Sequence, residues 1–201
     1  MREIYKSGVT PQQKLVAVNN KFGNSNVKSQ QGTSRILYDS ILVTTGKSNF
    51  RFFEDSSSRT FPLTNTGSEG NKLGVGDTMV IAQVLFSLVT KETATGQWFS
   101  QQPLTATFPG VSLGYFNVEI ANNQVIKKVS LSEQDFQFNK STFNSVDNTI
   151  DLETSIVIPP LLPFVVELQL PNGLTTNVGF DYYVECQIIG VGGIIAPRTT
   201  F

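Results

Sequence analysis

From Gly32 to the C-terminus the chain alternates apolar and polar residues with a period of two, and no helical period displaces that pattern over more than a few residues. Runs rich in Val, Ile, Phe, Tyr and Thr are separated by clusters of Gly, Asn, Ser and Pro, which punctuate strands with turns. This predicts an all-β body. The clearest strands are expected over 35–44, 49–54, 78–90, 115–120, 124–131, 149–158, 164–170 and 182–189, with shorter ones over 97–100, 104–108, 136–139 and 193–196. Two hairpins are expected, one turning through Thr45-Gly46-Lys47-Ser48 and one through Asn122-Asn123, because Gly and Asn accept the positive φ that such turns need.

Alternation also assigns faces. Val166, Leu168 and Leu170 share one side of their strand and Glu167 and Gln169 the other; Val184, Cys186 and Ile188 likewise oppose Glu185 and Gln187. Each sheet is therefore expected to have one wet face. The run from Met79 to Val89 is apolar at nearly every position, as in a strand covered on both sides, so something is expected to pack over it.

Sliding the chain against itself by 86 residues brings Phe50-Arg51-Phe52 onto Phe136-Gln137-Phe138 and the run 79–84 onto 165–170. Each half then holds a hairpin, a Phe-x-Phe strand, a long polar connection and a strongly apolar strand entered through a Gly-rich or Pro-rich turn. Two small tandem eight-stranded barrels are the simplest interpretation, over 29–110 and 111–201, with a single barrel as the alternative.

Ahead of the body, residues 1–28 carry Arg2, Lys6, Lys14, Lys21 and Lys28 against Glu3 alone, a net +4, which leaves the other 173 residues at −5. Thr10-Pro11 reads as an N-cap followed by proline at the first helical position, Leu15, Val18 and Phe22 fall at helical spacing, and Gly23 is a stop. A short amphipathic helix on a basic arm is expected. Such an arm either rests on its own domain or faces something anionic.

The chain has no histidine, which removes Ser-His-Asp and Cys-His nucleophile systems, His-ligated zinc and the commonest general base near neutral pH. Cys186 is the sole cysteine and sits in an alternating apolar run, where a thiol behaves as a small buried hydrophobe. The strand-borne carboxylates Glu119, Asp151, Glu153, Glu167 and Glu185 fall on polar phases rather than in an evident cleft, so a glycosidase pair has little support. A sugar platform would depend on Trp98 with Tyr182 or Tyr183. Gly74-Val75-Gly76-Asp77 and Gly190-Val191-Gly192-Gly193 lack the following helix and Lys-Ser/Thr of a phosphate cradle and read as turns or bulges. No enzyme activity, metal, cofactor or small-molecule substrate is expected. The N-terminus lacks the apolar core of a secretory signal, so a soluble, unprocessed chain is expected.

Ser, Thr, Asn and Gln make up a third of the chain, whereas charged residues make up 15%. Uncharged polar surfaces lose less on desolvation than charged ones, so this composition suits contacts between copies.

The runs Arg35-Ile-Leu-Tyr-Asp-Ser-Ile-Leu-Val-Thr, Phe50-Arg-Phe-Phe-Glu, Asn71-Lys-Leu-Gly-Val-Gly-Asp-Thr-Met-Val and Ile158-Pro-Pro-Leu-Leu-Pro-Phe-Val-Val-Glu-Leu resemble viral jelly-roll coat proteins. The likeness is greatest to the compact double jelly-roll major capsid proteins of icosahedral, membrane-containing phages of Flavobacteria, the FLiP-like branch of the lineage that includes adenovirus hexon. It covers roughly residues 30–200 and rests on pattern rather than on a diagnostic motif. The resemblance implies a structural virion protein, assembled in the host cytoplasm as pseudo-hexameric homotrimers that tile a capsid with neighbouring capsomers and penton proteins. It also implies termini toward the interior, where the arm residues Arg2, Lys6, Lys14, Leu15, Val18, Lys21, Phe22 and Lys28 would meet membrane, genome or a neighbouring subunit. Accessory virion subunits (penton, decoration or fibre base) and carbohydrate-binding jelly rolls are the alternatives.

Overall fold

The computed structural model describes residues 30–66, 70–104, 108, 110–132 and 150–195. Its strands are β1 (Gln30–Leu42), β2 (Asn49–Phe52), β3 (Asp77–Glu92), β4 (Trp98–Pro103), β5 (Tyr115–Ile120), β6 (Asn123–Ser130), β7 (Ile150–Ile158), β8 (Phe164–Gln169) and β9 (Phe180–Ile195). The body is all-β, as the period of two requires. The N-terminal arm and the expected strand over 136–139 lie outside the described residues.

The strands form two antiparallel sheets. Sheet A runs β1-β9-β3, and the far edge of β3 is shared by β7 opposite Met79–Val84 and β4 opposite Ser87–Lys91. Sheet B runs β2-β8-β5-β6. Pairing is nested along the chain: β1 pairs with β9, β2 with β8 and β3 with β7, while β5 and β6 form the tip of the nest. The chain behaves as one long hairpin rolled into a sandwich.

This nesting corrects the expected division at residue 110. Both sheets draw strands from each side of that position, and β9 bonds simultaneously to β1 and β3, so 29–110 and 111–201 do not separate into two barrels. The strands matched by the 86-residue offset, β3 and β8, belong to different sheets. The hairpin expected through Thr45–Ser48 is also corrected: β1 and β2 lie in different sheets, and the connection between them is a corner. The Gly46 amide in that corner donates to Leu174 O, and Leu174 N donates to Lys47 O. The second hairpin forms, with Ala121 and Asn122 at φ 50° and 66° supplying its turn.

The inward phases of the two sheets share one core. Phe50 and Phe52 of β2 stack at 6.3 Å, Phe52 meets Phe86 of β3 at 5.9 Å, and Phe86 meets Phe116 of β5 at 5.4 Å. All four are fully buried. Asp39 is an exception on the inward phase of β1, buried between Leu37 and Ile41 in sequence. It accepts two bonds from the Arg59 guanidinium, at 2.8 and 2.6 Å, and one from Phe53 N. Burial of a carboxylate on this phase is tolerable only with such pairing.

Gly74–Asp77 is a turn into β3, with Gly76 at φ 83° and Asp77 N bonded to Gly74 O. Gly190–Gly193 is not a turn: it lies inside β9 alongside a bulge in β3 between Ile81 and Gln83. There the strands approach so closely that a Cβ on residue 190 would sit 2.0 Å from the Val80 carbonyl oxygen.

Because Phe86 contacts aromatic rings on two strands of the opposite sheet, Phe86→Ala is expected to lower unfolding free energy by about 3–5 kcal/mol, measured by denaturant titration. A loss below about 1 kcal/mol would mean that the sheets are not joined there.

Candidate interaction surfaces

In a sandwich, three kinds of surface are open to a partner: the free sheet edges, the two outer faces, and the loops at either end. The edges come first, because an unpaired strand invites addition of another chain. The outer edge of β1 is covered. Ser40 N donates to Leu63 O, Asn65 N donates to Tyr38 O, and the Asn65 amide bonds Tyr38 N and Ile36 O, so residues 63–65 lie against the strand as a short flap. The Asp39–Arg59 pair ties the segment leading to the flap onto β1. The outer edge of sheet B is guarded differently: β6 presents Lys127 and Lys128, and Lys128 adopts φ 50° at a register irregularity. Charge and a bulge both discourage strand addition.

The outer face of sheet B is polar and bonded laterally. The Asn49 amide donates to Glu167 and Gln169, Asn117 donates to the other oxygen of Glu167, and Gln124 donates to Glu119. Arg51 forms a two-point pair with Glu54 and lies 3.7 Å from Glu119. That pairing holds the Glu54 carboxyl below its ordinary value and the Arg51 guanidinium above its own. Glu119 and Glu167 therefore sit on an open face among amide and guanidinium donors, without the enclosure that proton transfer to a glycosidic oxygen needs.

Sheet A presents a different outer face. Strand register fixes its rows: Tyr38, Gln187 and Leu85; Ser40, Glu185 and Ser87; Leu42, Tyr183 and Val89; then Asp181, Lys91 and Trp98. Apolar and aromatic side chains make up half of these rows and polar ones the other half, and Val80, also outward, is 1% exposed although it lies outside the core cluster. Glu185 points away from the core as alternation predicts, yet it is only 4% exposed. The expectation of a wet face on each sheet thus holds for sheet B and fails for sheet A, where Ser40, Glu185 and Ser87 of the central row are all buried. Ser40 Oγ donates to Glu185 Oε2 at 3.1 Å, and Gln187 Nε2 donates to Oε1 at 2.6 Å. Burial raises the Glu185 pKa, these two bonds oppose the rise, and the Asp39 charge adds to it. Ser87 Oγ, across the strand, is buried with no hydrogen-bond partner.

Trp98 and Tyr183 meet on this face, with ring centroids 5.2 Å apart, and the Lys91 ammonium lies 5.4 Å from the Trp98 ring. Cys186 points into the core beneath, fully buried, and burial together with the nearby Asp39 and Glu185 charges pushes its thiol well above its ordinary value. It is packing, not a nucleophile.

The barrel also has polarity along its length. Gln30 of β1 pairs with Ile195 of β9, and Ile194 pairs with Asp77 at the start of β3, so β1 begins and β9 ends at the same end of the sandwich. At that end Leu161 N bonds Leu73 O, Ala121 N bonds Pro163 O, and Val75, Leu161 and Leu162 are exposed. At the opposite end a cavity of about 170 Å³ is lined by Phe108, Val111, Pro171 and Leu174.

Of the residues singled out in the sequence, Arg2, Lys6, Lys14, Leu15, Val18, Lys21, Phe22 and Lys28 lie outside the described residues. Asp151 and Glu153 fall on β7. Sequence reasoning missed the Asp39–Arg59 clamp and the flap it supports, although a carboxylate on the apolar phase of β1 is a signal that a cation must come to meet it. Comparisons with protein-family models, curated proteins and solved structures found no match to the chain.

The folded chain holds the Glu185 proton more tightly than the unfolded chain does. Its contribution to stability is thus complete below the ordinary glutamate value of 4.5 and is lost as pH rises through the higher folded value. Glu185→Gln is expected to gain stability relative to wild type between pH 4 and pH 7, read from denaturation midpoints at each pH. A difference independent of pH would show that the carboxyl is solvated.

Proposed function

We propose that this chain is a structural virion protein, a capsid subunit built on a single jelly roll that works by associating with copies of itself. The observation that carries this reading is the nested pairing of β1 with β9, β2 with β8 and β3 with β7, closed by the β5–β6 hairpin. With β4 set aside it leaves two four-stranded sheets, a grouping that supports the double Greek key used by viral capsid and lectin domains. The guarded edges add support, because a shell needs copies to meet through defined faces and loops rather than through open-ended strand addition.

One barrel per chain changes the expected assembly. A pseudo-hexameric trimer takes two barrels from each subunit, whereas three copies of this sandwich supply three, so the proposal is a single-barrel capsid subunit rather than a double-barrel one. Copy number in purified particles separates a major shell protein from a penton, decoration or fibre-base subunit.

A carbohydrate-binding module is the rival that shares the fold. The meeting of Trp98 and Tyr183 favours it, but Lys91 lies over the Trp98 ring and Tyr183 packs against that ring, which takes up ring surface that a pyranose would need. That reading gives a monomer whose tryptophan fluorescence responds to sugar.

Light scattering on the purified chain tests the proposal directly, with concentration-dependent assembly expected and a strict monomer at all concentrations counting against it. Because β1 begins at Gln30, deletion of residues 1–22 removes no described strand. The truncated protein is expected to remain soluble and oligomeric but to form no closed particles in electron micrographs. Intact particles from it would refute the role of the arm. If the +4 arm contacts anionic lipid or nucleic acid, that binding is expected to weaken steeply between about 50 and 200 mM salt.

A further inference from the structure

We infer that the outer face of sheet A is the docking surface for this chain's own N-terminal arm, with the helix expected over 11–22 lying along β9 and β3. Register aligns four outward rows across these strands: Ser34, Val191 and Val80; Ile36, Ile189 and Gln83; Tyr38, Gln187 and Leu85; Ser40, Glu185 and Ser87. Val80 is 1% exposed, Ser87 2% and Glu185 4%. In a sheet the neighbouring strands stand about 4.8 Å to the side and none stands above, so an outward side chain left to water keeps part of its surface. All nine described strands belong to the two sheets, and sheet B packs on the inner side. The cover over these rows therefore comes from elsewhere in the same chain. Ser34, Gln83, Glu185 and Gln187 make further contacts, in keeping with a cover. Ile36 on the β1 rim keeps 50% exposure, which sets the cover over β9 and β3.

Reach, pattern and charge select the arm as the occupant. Alternate residues of a strand rise about 6.7 Å, so the four rows span about 20 Å, and a helix over 11–22 measures about 18 Å. β1 begins at Gln30, about 13 Å short of the Ser34 row, and residues 23–29 can span up to about 23 Å, enough to bring Phe22 over that row. Leu15, Val18 and Phe22 form one stripe on such a helix, matched to Val191, Val80, Ile189 and Leu85. The arm brings +4 toward a face whose buried carboxyl is Glu185, whereas residues 133–149, with Glu133, Asp135 and Asp147 against Lys140, would bring −2. Residues 196–201 supply a single large apolar side chain, Phe201. Lys14 and Lys21, seven positions apart, flank the docked stripe and stay available to an anionic partner, so the inference goes beyond the shell reading and does not depend on it.

Cysteine pairing in the full chain tests the docking. Val18→Cys with Ile189→Cys is expected to close an intrachain disulfide under mild oxidation, with about ten times the yield of Val18→Cys with Gln169→Cys on sheet B, because docking raises the effective concentration of one thiol at the other. The product is read as monomer mass on a non-reducing gel and as a linked peptide by mass spectrometry. Cys186 is buried and does not compete. Equal yields from the two pairs would overturn the inference, and so would two-chain bands from the face pair, because the arm would then dock on a neighbouring copy. If Ile189→Cys fails to fold by circular dichroism, hydrogen exchange carries the test. Leu15→Glu with Val18→Glu keeps good helix formers in the arm and leaves the sandwich untouched, and amides of 12–22 are expected to exchange about ten-fold faster in it than in wild type. Arm amides that exchange at the unprotected rate in wild type, or equally in both proteins, would overturn the docking.

Discussion

Phe86 is the contact on which the two sheets depend. It projects from the middle of β3 in sheet A and meets Phe52 and Phe116, which stand on two strands of sheet B that are not neighbours. Without that wedge the inward phases of the sheets have no common register, because backbone hydrogen bonds hold strands within a sheet and only side chains hold one sheet to the other. Rings of this size each bury about 150–250 Å², so the row of four phenylalanines is a large share of what the sandwich gains on folding. A further pair, Phe53 with Phe164 at 5.1 Å, lies on the sheet B side of the core, where β8 begins.

Closing such a sandwich leaves edges, and the chain treats two of them, those of β1 and β6, by different physical devices. Along β1 the device is a buried ion pair: Asp39 draws Arg59 and the Phe53 amide toward the strand, and the segment that follows lies against the free backbone groups. Along β6 the device is charge with a bulge. Both raise the cost of adding a strand, and neither affects the faces. A chain that must meet its copies in a fixed geometry benefits from this arrangement, because strand addition has weak register and no natural stopping point.

Period two made the strands legible. β5 and β7 lie within a residue of the boundaries that alternation implies, and the turn expected through Asn122-Asn123 forms one residue earlier, at Ala121–Asn122. Alternation reports which way a side chain points, however, and says nothing about which strand lies alongside. That is why the resemblance between 79–84 and 165–170 read as a repeat of whole barrels, when it reflects two apolar strands placed in opposite sheets. The Thr45–Ser48 turn failed as a hairpin for a related reason: a Gly at positive φ serves a corner between sheets as well as a reversal within one. Gly190–Gly193 read as a turn or a bulge, and the structure sets it against a bulge inside β9's pairing; the feature that requires Gly190, the Val80 carbonyl on the neighbouring strand, is 110 positions away in sequence.

Glu185 shows how phase and environment can separate. Its outward direction was legible, and from direction alone a glutamate should be wet. Its enclosure depends on the row in which it sits: Ser40 and Ser87 are the small residues on either side, and the larger Tyr38, Leu42, Leu85 and Val89 stand around them. In that row the Glu185 carboxyl is buried and accepts bonds from Ser40 and Gln187. A surface of that construction resembles a core in composition and a face in position. Sheet B, with the same backbone geometry and nested pairing, carries amides and charges at the equivalent phase, so the fold did not impose the difference. The side chains did: the sheet A face interleaves Tyr38, Leu42, Leu85, Val89, Tyr183 and Trp98 with polar residues, of which Ser40, Glu185 and Ser87 are themselves buried.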